Sequence, residues 1–581
     1  MGQLERLIGE RFATAIDLVC GAAGAAVDPV LRPTQDPRFG DFQANVAMGL
    51  AKRLGKPPRE VAQAIVDALP ADGLASRIEI AGPGFINLHL DDGFLARLVA
   101  AALADPRLGV SHAEPALRVV VDYSGPNVAK EMHVGHLRST VIGDAVARVL
   151  AFCGHTVVRQ NHVGDWGTQF GLLIQHLIEQ AGPDGDPAAL DATVDLTTLY
   201  RAATARDGTD AAFAERARQR VVALQSGDAD TRRLWQRLVE LSALQFQGVY
   251  RRLDSGLQVD DIRGESAYET ALPAVVAELQ AQGLARESDG ALGVFLPGFQ
   301  TKSGEPLPLL VRKSDGGYLY ATTDLAAVRY RIRTLGARRL VYVTDARQRQ
   351  HFQMVFAAAR AAGWAAADTR LDHVVFGSVL GADGKPFKTR SGDTVRLATL
   401  LDEAEQRAGA IVAAKDPELS TDDRARVAHA VGIGAIKYAD LASDRVKDYV
   451  FEWDRMLAMD GNTAPYLQYA YARIRSIFRK AEQAEAPVVP VCFADPAERA
   501  LALCLLRFDA VVDTVVDTLA PHHLCGYLYE VATAFSTFYR ACPILAAPPE
   551  LRGSRLVLCE LTARTLAIGL GLLGIETLER M

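Results

Sequence analysis

Cysteine is sparse and scattered in this 581-residue chain. The seven thiols, Cys20, Cys153, Cys492, Cys504, Cys525, Cys542 and Cys559, include no Cys-x-x-Cys pair, which argues against a zinc ribbon or a disulfide framework and leaves small core residues as the expectation. Long apolar runs are also missing: the stretch 566–575 is among the longest, and it is too short to span a bilayer. Nor is positive charge in excess. Sixty-three Lys and Arg against 70 Asp and Glu leave a formal net charge of −7, which argues against coating nucleic acid by bulk attraction but not against local basic patches. The start, Met1-Gly2-Gln3-Leu4-Glu5-Arg6, has neither the basic segment nor the apolar core of a signal peptide, and Arg6 stands where a myristoylation motif needs Ser or Thr. A cytoplasmic protein with no membrane partner is expected.

What is present is the composition of a globular protein, 49% hydrophobic and 23% charged, in a chain too long for one core. Typical domain sizes predict roughly three or four domains. The rest of the chain is organised around 118–140. Val119, Val120 and Val121 read as a buried strand, Gly125-Pro126-Asn127 breaks it, and from Leu137 apolar residues recur at helical spacing. At the helix start, His133 and His136 share a face, with Gly135 between them and Lys130 just before. Two imidazoles and the free N–H groups of a helix start make a site for phosphate, and Gly135 would let a nucleotide base approach the backbone. Read alone, His-x-x-His also describes an ordinary helix start; the flanking residues weigh against that.

The block Ser124-Gly125-Pro126-Asn127-Val128-Ala129-Lys130-Glu131-Met132-His133-Val134-Gly135-His136-Leu137-Arg138-Ser139 resembles the signature of class I aminoacyl-tRNA synthetases, in particular of arginyl-tRNA synthetases. His162-Val163-Gly164-Asp165-Trp166-Gly167-Thr168-Gln169-Phe170-Gly171 is similar to the next block of that family, and the likeness runs essentially the whole length. It implies a multidomain α/β protein: an N-terminal α+β domain at 1–112, a Rossmann-like parallel-sheet catalytic domain at 113–455 with a helical insertion at about 172–253, and a C-terminal α-helical bundle at 456–581. The residues agree. Helical spacing predicts a helix over 4–27; 78–90 alternates like strands about Gly82-Pro83-Gly84; 156–161 and 339–345 read as further strands, with 373–380 leading into a glycine-rich loop; and helices are predicted over 501–519, 523–539 and 556–573 after the chain turns helical beyond 432–438. Ligands of such a sheet bind beyond the carboxyl ends of its strands, where both blocks fall.

The resemblance implies an ATP-dependent ligase that joins arginine to AMP and then esterifies it to the 3′ end of tRNA(Arg), commonly with tRNA bound before activation. ATP would bring magnesium with it, no metal site of the protein's own is expected, and the chain is expected to be a monomer. Lys130, His133 and His136 would be catalytic; Pro126, His133, Gly135, His136, Lys385 and Lys388 would hold ATP. Most class I enzymes carry Lys-Met-Ser-Lys in the later loop, whereas this chain has Gly384-Lys385-Pro386-Phe387-Lys388-Thr389-Arg390-Ser391. A subset of arginyl enzymes with the same departure is thought to use the lysine before the histidine motif, here Lys130.

A guanidinium pocket requires carboxylates and fixed acceptors. By resemblance, Tyr320 and Asp324 hold the arginine side chain, Glu265 matches another acidic position, and Asn127 and Gln348 assist. Phe85 and Asn87 match the part that meets the outer corner of tRNA, and Tyr466, Tyr469 and Arg473 would face the anticodon side. Taken singly, these residues also read as core aromatics, turn and cap groups or solvated charges, as do Lys385, Lys388 and the 232–237 arginines. Two rival readings are a nucleotidyltransferase acting on a small molecule and a catalytically silent RNA-binding protein.

Overall fold

The computed structural model of the chain describes residues 2–21, 27–34, 36–182, 185–190, 195–387 and 395–581. The N-terminal helix Gln3–Cys20 buries Leu4, Ile8, Phe12, Ala15 and Ile16 along one stripe, as a 3.6-residue period requires. It packs in one core with an antiparallel sheet whose strands lie in the order Leu31–Pro33, Phe42–Ala44, Phe85–Leu90, Ala75–Ala81. The alternation read at 78–90 is the hairpin of the last two, closing at the Ala81–Phe85 pair. Arg499 fastens this unit to the C-terminal helices, with both oxygens of Asp41 at 2.6 and 2.9 Å and Asp92 at 2.8 Å.

The central sheet is fully parallel, in the order Arg370–Phe376, Arg339–Asp345, Arg118–Asp122, Thr156–Gln160. Its two middle strands are buried Val/Leu-rich runs, as a sheet covered on both faces demands. They are far apart in sequence yet pair directly, Tyr342 opposite Asp122, so the strand order reverses between them. That reversal opens a crevice beyond their carboxyl ends. The helix Val134–Phe152 follows the first of them, and the helices Thr168–Ala181, Leu196–Asp207, Ala211–Ser226 and Ala229–Arg252 form the insertion.

The structure departs from the sequence reading at several points, the first being the N-terminal helix, which ends at Cys20 with Gly21 at φ 52° instead of running to 27. The stretch 373–380 holds the ends of two strands: after Phe376 the chain turns at Gly377, whose N–H goes to the Arg445 carbonyl at 2.9 Å, and Val379–Leu380 pairs with Tyr449–Val450. Helix begins well before 432, with Leu397–Lys415 and Thr421–Leu441; Gly432 sits inside the second because a Cβ there would come within 2.7 Å of the Ala404 carbonyl. The helix read over 501–519 is broken into Pro496–Leu505 and Phe508–Thr518. His522–Ala541 and Pro549–Leu572 complete the C-terminal helices. These helices share one continuous core with the helix Val134–Phe152, so the parallel-sheet unit and the bundle are packed together rather than tethered.

Candidate active site

The crevice is a cleft of about 580 Å³ lined by both middle strands, the start of the helix Val134–Phe152 and the start of the helix Tyr320–Arg333. His133, Gly135 and His136 line it together with Asn127, Glu265, Tyr320, Asp324 and Gln348. The phosphate candidates and the guanidinium candidates therefore share one cavity.

His133 is the N-cap of its helix, and its Nδ1 accepts the Gly135 N–H at 3.1 Å, while His136 Nδ1 accepts the His133 N–H at 3.1 Å. A neutral imidazole that accepts on Nδ1 carries its proton on Nε2. Both rings thus keep an Nε2–H donor uncommitted to the backbone. Burial, then the neighbouring charges of Arg347 and Lys130, lowers the His133 pKa; burial, then His133, pushes His136 down to about 3. Neutral donors, rather than imidazolium ions, occupy this site at physiological pH.

One expectation about the helix start is corrected. Its N–H groups are not free: Val134 donates to the Val395 carbonyl at 3.0 Å, Gly135 to His133, and His136 to the His133 carbonyl at 2.8 Å. Gly135 is required by the capping ring itself, since a Cβ there would stand 2.8 Å from His133 Cε1.

The acidic end is assembled by the second motif. Asp165, buried after Gly164, accepts the Ser266 N–H at 2.8 Å and its hydroxyl at 2.6 Å, and Glu265 N–H binds the Val163 carbonyl at 3.1 Å. A Cβ on Gly264 would fall 2.2 Å from Asp165 Oδ2, so this turn can close only on glycine. Glu265 is held in the cleft with its pKa pushed up to about 7 by burial and then by the negative charges of Asp165 and Asp324. Such a crowd of carboxylates is stabilised by a cation. Tyr320 opens its helix and is 63% exposed, and Asp324 stands one turn on with Oδ2 2.6 Å from His351 Nε2.

Other predicted residues lie elsewhere. Lys130 does not line the cleft; its ammonium stands 4.5 Å above the Tyr200 ring and borders a neighbouring cavity with Glu131 and Arg396. Pro126 is buried, offering its carbonyl to Gly164 N–H at 3.2 Å. Lys385 is exposed outside the cleft lining, and Lys388 lies outside the described residues. Asn87 is corrected most sharply. It is 1% exposed and its Oδ1 accepts from Gln43 Nε2 at 2.8 Å, across the sheet, so it is placed to align strands rather than to meet a base; Phe85 is half-buried beside it. Tyr466 is half-buried, its ring 5.9 Å from Tyr529. Tyr469 accepts from Arg473 at 3.0 Å, and the Arg473 guanidinium also stands 5.5 Å from the Tyr539 ring.

Sequence reasoning missed Arg347, His162 and His351. Arg347 lines the cleft and pairs with Asp345 at 2.9 Å; its place just past a strand's carboxyl end was the available signal.

Comparison with known proteins gives a consistent result. Residues 98–453 match the family "tRNA synthetases class I (R), catalytic domain", 467–581 the "DALR anticodon binding domain", and 6–90 the "Arginyl tRNA synthetase N terminal domain". The chain is 52% identical over 582 residues to the arginine–tRNA ligase of Edwardsiella ictaluri and 52% identical over 580 residues to that of Laribacter hongkongensis, covering 100% of each chain in both cases. Among solved structures it resembles the arginyl-tRNA synthetase of Plasmodium falciparum, with a TM-score of 0.84 at 29% identity and 100% coverage of both chains. It also resembles that of Thermus thermophilus, with a TM-score of 0.82 at 28% identity, covering 99% of this chain and 100% of the other. The chain belongs to the class I aminoacyl-tRNA synthetases, in their arginyl-tRNA synthetase family.

Proposed function

We propose that the cleft activates arginine with ATP and passes it to the 3′ end of tRNA(Arg), the chain being an arginine–tRNA ligase. The observation that carries this is that the two imidazoles and the carboxylates Glu265 and Asp324 line one cavity. The guanidinium enters the acidic end, bound by Asp324, Glu265 and the Tyr320 hydroxyl, while Asn127 and Gln348 orient the amino-acid end. The carboxylate of arginine then attacks the α-phosphorus of ATP. A carboxylate O–P bond forms, the bond to the bridging oxygen of pyrophosphate breaks, and the electron pair leaves with pyrophosphate. His133 and His136 donate Nε2–H bonds to the phosphate oxygens as charge builds there, an arrangement that needs no covalent nucleophile. Magnesium arrives as part of the substrate, on the phosphate oxygens of ATP.

Arg347 is added to the phosphate side, because it lines the cleft and its charge is felt at His133. Lys130 is also felt at His133, and we assign it to the leaving pyrophosphate, reached by turning away from Tyr200. In the second step the ribose hydroxyl of the tRNA terminus attacks the activated carbonyl and AMP leaves. Tyr469 and Arg473 meet the anticodon side and Phe85 the outer corner. The chain works as a monomer in the cytoplasm. Aminoacylation of tRNA(Arg) with arginine, lysine and citrulline tests the reading: charging with arginine alone is expected, and equal charging with citrulline, which is uncharged, would overturn the pocket assignment.

A further inference from the structure

Arg138 is two residues beyond His136 and does not line the cleft, yet it is 1% exposed. Its Nε stands 3.3 and 3.2 Å from the two oxygens of Asp440, whose carboxylate is fully buried on the helix Thr421–Leu441. Its Nη1 donates to the Lys447 carbonyl at 3.0 Å, and its guanidinium stands 5.1 Å from the Tyr449 ring and 5.8 Å from the Phe376 ring. A planar fork with separated donors can hold a side chain and a backbone carbonyl at once, which an ammonium cannot match.

The segment it holds carries another. Gly377 N–H binds the Arg445 carbonyl, Ser378 N–H binds Asp448 at 2.6 Å, Val379–Leu380 pairs with Tyr449–Val450, and Phe387 stacks on Phe451 at 4.8 Å. Leu380 then bridges to Pro386, closing 379–387 into a tight hairpin. This hairpin and Arg138 border a second cavity of about 320 Å³ that shares His133, Gly135, Asp345, Arg347 and Phe376 with the main cleft. Further along, Val395 and Leu397 are hydrogen-bonded to Val134 and Met132. The chain beyond the hairpin is thus tied to the histidine motif by its backbone, while the hairpin itself is tied through Arg138.

We infer that Arg138 is a positioning residue of the activation step, setting the distance between the imidazole pair and the 377–387 hairpin that borders the phosphate side of the cleft. This deepens the proposed reaction and rests on it. Among the described residues, no hydrogen bond or ion pair joins Glu265, Tyr320 or Asp324 to the groups that Arg138 holds, so recognition of the guanidinium is not routed through it.

The test is arginine-dependent ATP–pyrophosphate exchange, with tRNA(Arg) present, on the full chain and two variants. Arg138→Lys keeps a charge opposite Asp440 but lacks the fork; Arg138→Met with Asp440→Leu removes both buried charges and keeps apolar volume, a change that buried ion pairs often tolerate. For either variant, kcat is expected to fall about 10- to 100-fold, the scale of a misplacement near 1 Å, with KM for ATP raised and KM for arginine unchanged. Exchange at the wild-type rate in Arg138→Lys, or in the folded double variant, would overturn the inference, as would a parallel rise in the arginine KM. A wild-type chain without exchange would instead overturn the activation reading itself.

Discussion

The rings of His133 and His136 lie 4.0 Å apart, tilted by 37°, each accepting a backbone N–H on Nδ1. The backbone thereby selects the tautomer, and both side chains are presented as donors. Replacing either by Ala is expected to lower the exchange kcat about 100- to 1,000-fold, the usual cost of losing one donor to developing charge, with little change in arginine binding measured by calorimetry.

The same pair makes stability pH-dependent. The pKa of His136 falls from its ordinary 6.5 to about 3 on folding, so above pH 6.5 both states are neutral there and no dependence arises. As pH falls from 6.5 towards 3 the unfolded chain takes up a proton that the folded chain refuses, and stability drops by at most about 1.4 kcal/mol per pH unit. His136→Gln should flatten this part of a melting-temperature profile. An unchanged slope would show that the ring is not held neutral.

Glu265 gives the opposite sign. With its pKa raised to about 7, it is largely protonated on the acid side of neutrality when no arginine is present, and its contribution to stability is lost as pH rises through that value. A bound guanidinium favours the ionised form, so arginine affinity should climb between about pH 5 and 8 with release of a proton. Calorimetry in two buffers of different ionisation enthalpy measures that proton, and Glu265→Gln should abolish it. Asp324→Asn should raise the arginine KM about 100-fold without moving the ATP KM, through loss of a charge-assisted pair.

How much of this was legible depended on the residue. The histidine block could be read because phosphate chemistry fixes residue types at a fixed spacing, and Asp324 could be placed from Tyr320 because both lie on one helix turn. The saturation of the helix start could not, since its partner Val395 arrives from 261 positions away once the fold forms. The direction of Lys130 was equally hidden: Tyr200, on an insertion helix, decides it. Asn87 was misread because strand register, not residue type, turns its amide towards Gln43.

Lys130 and the later loop can be separated by experiment. Lys130→Ala should lower the exchange rate far more than Lys388→Ala, because the charge of the lysine before the histidine motif reaches His133. Equal losses would overturn the assignment of the leaving pyrophosphate to Lys130 rather than to the later loop.

On the helix Ala464–Lys480, Arg473 lies 4.7 Å from the Tyr469 ring and 5.5 Å from that of Tyr539, with Lys415 Nζ 5.8 Å from Tyr469. Two cations interleaved with aromatic faces suit a phosphate followed by a stacked base. Arg473→Ala should weaken tRNA(Arg) binding and reduce the slope of log affinity against log salt by about 0.7 to 0.9, the contribution of one phosphate contact. Tyr469→Ala should weaken binding while leaving that slope unchanged, because stacking releases no counterion. If both variants lowered the slope equally, the tyrosine would act by holding Arg473 in place through its 3.0 Å hydrogen bond, and stacking on a base would be excluded.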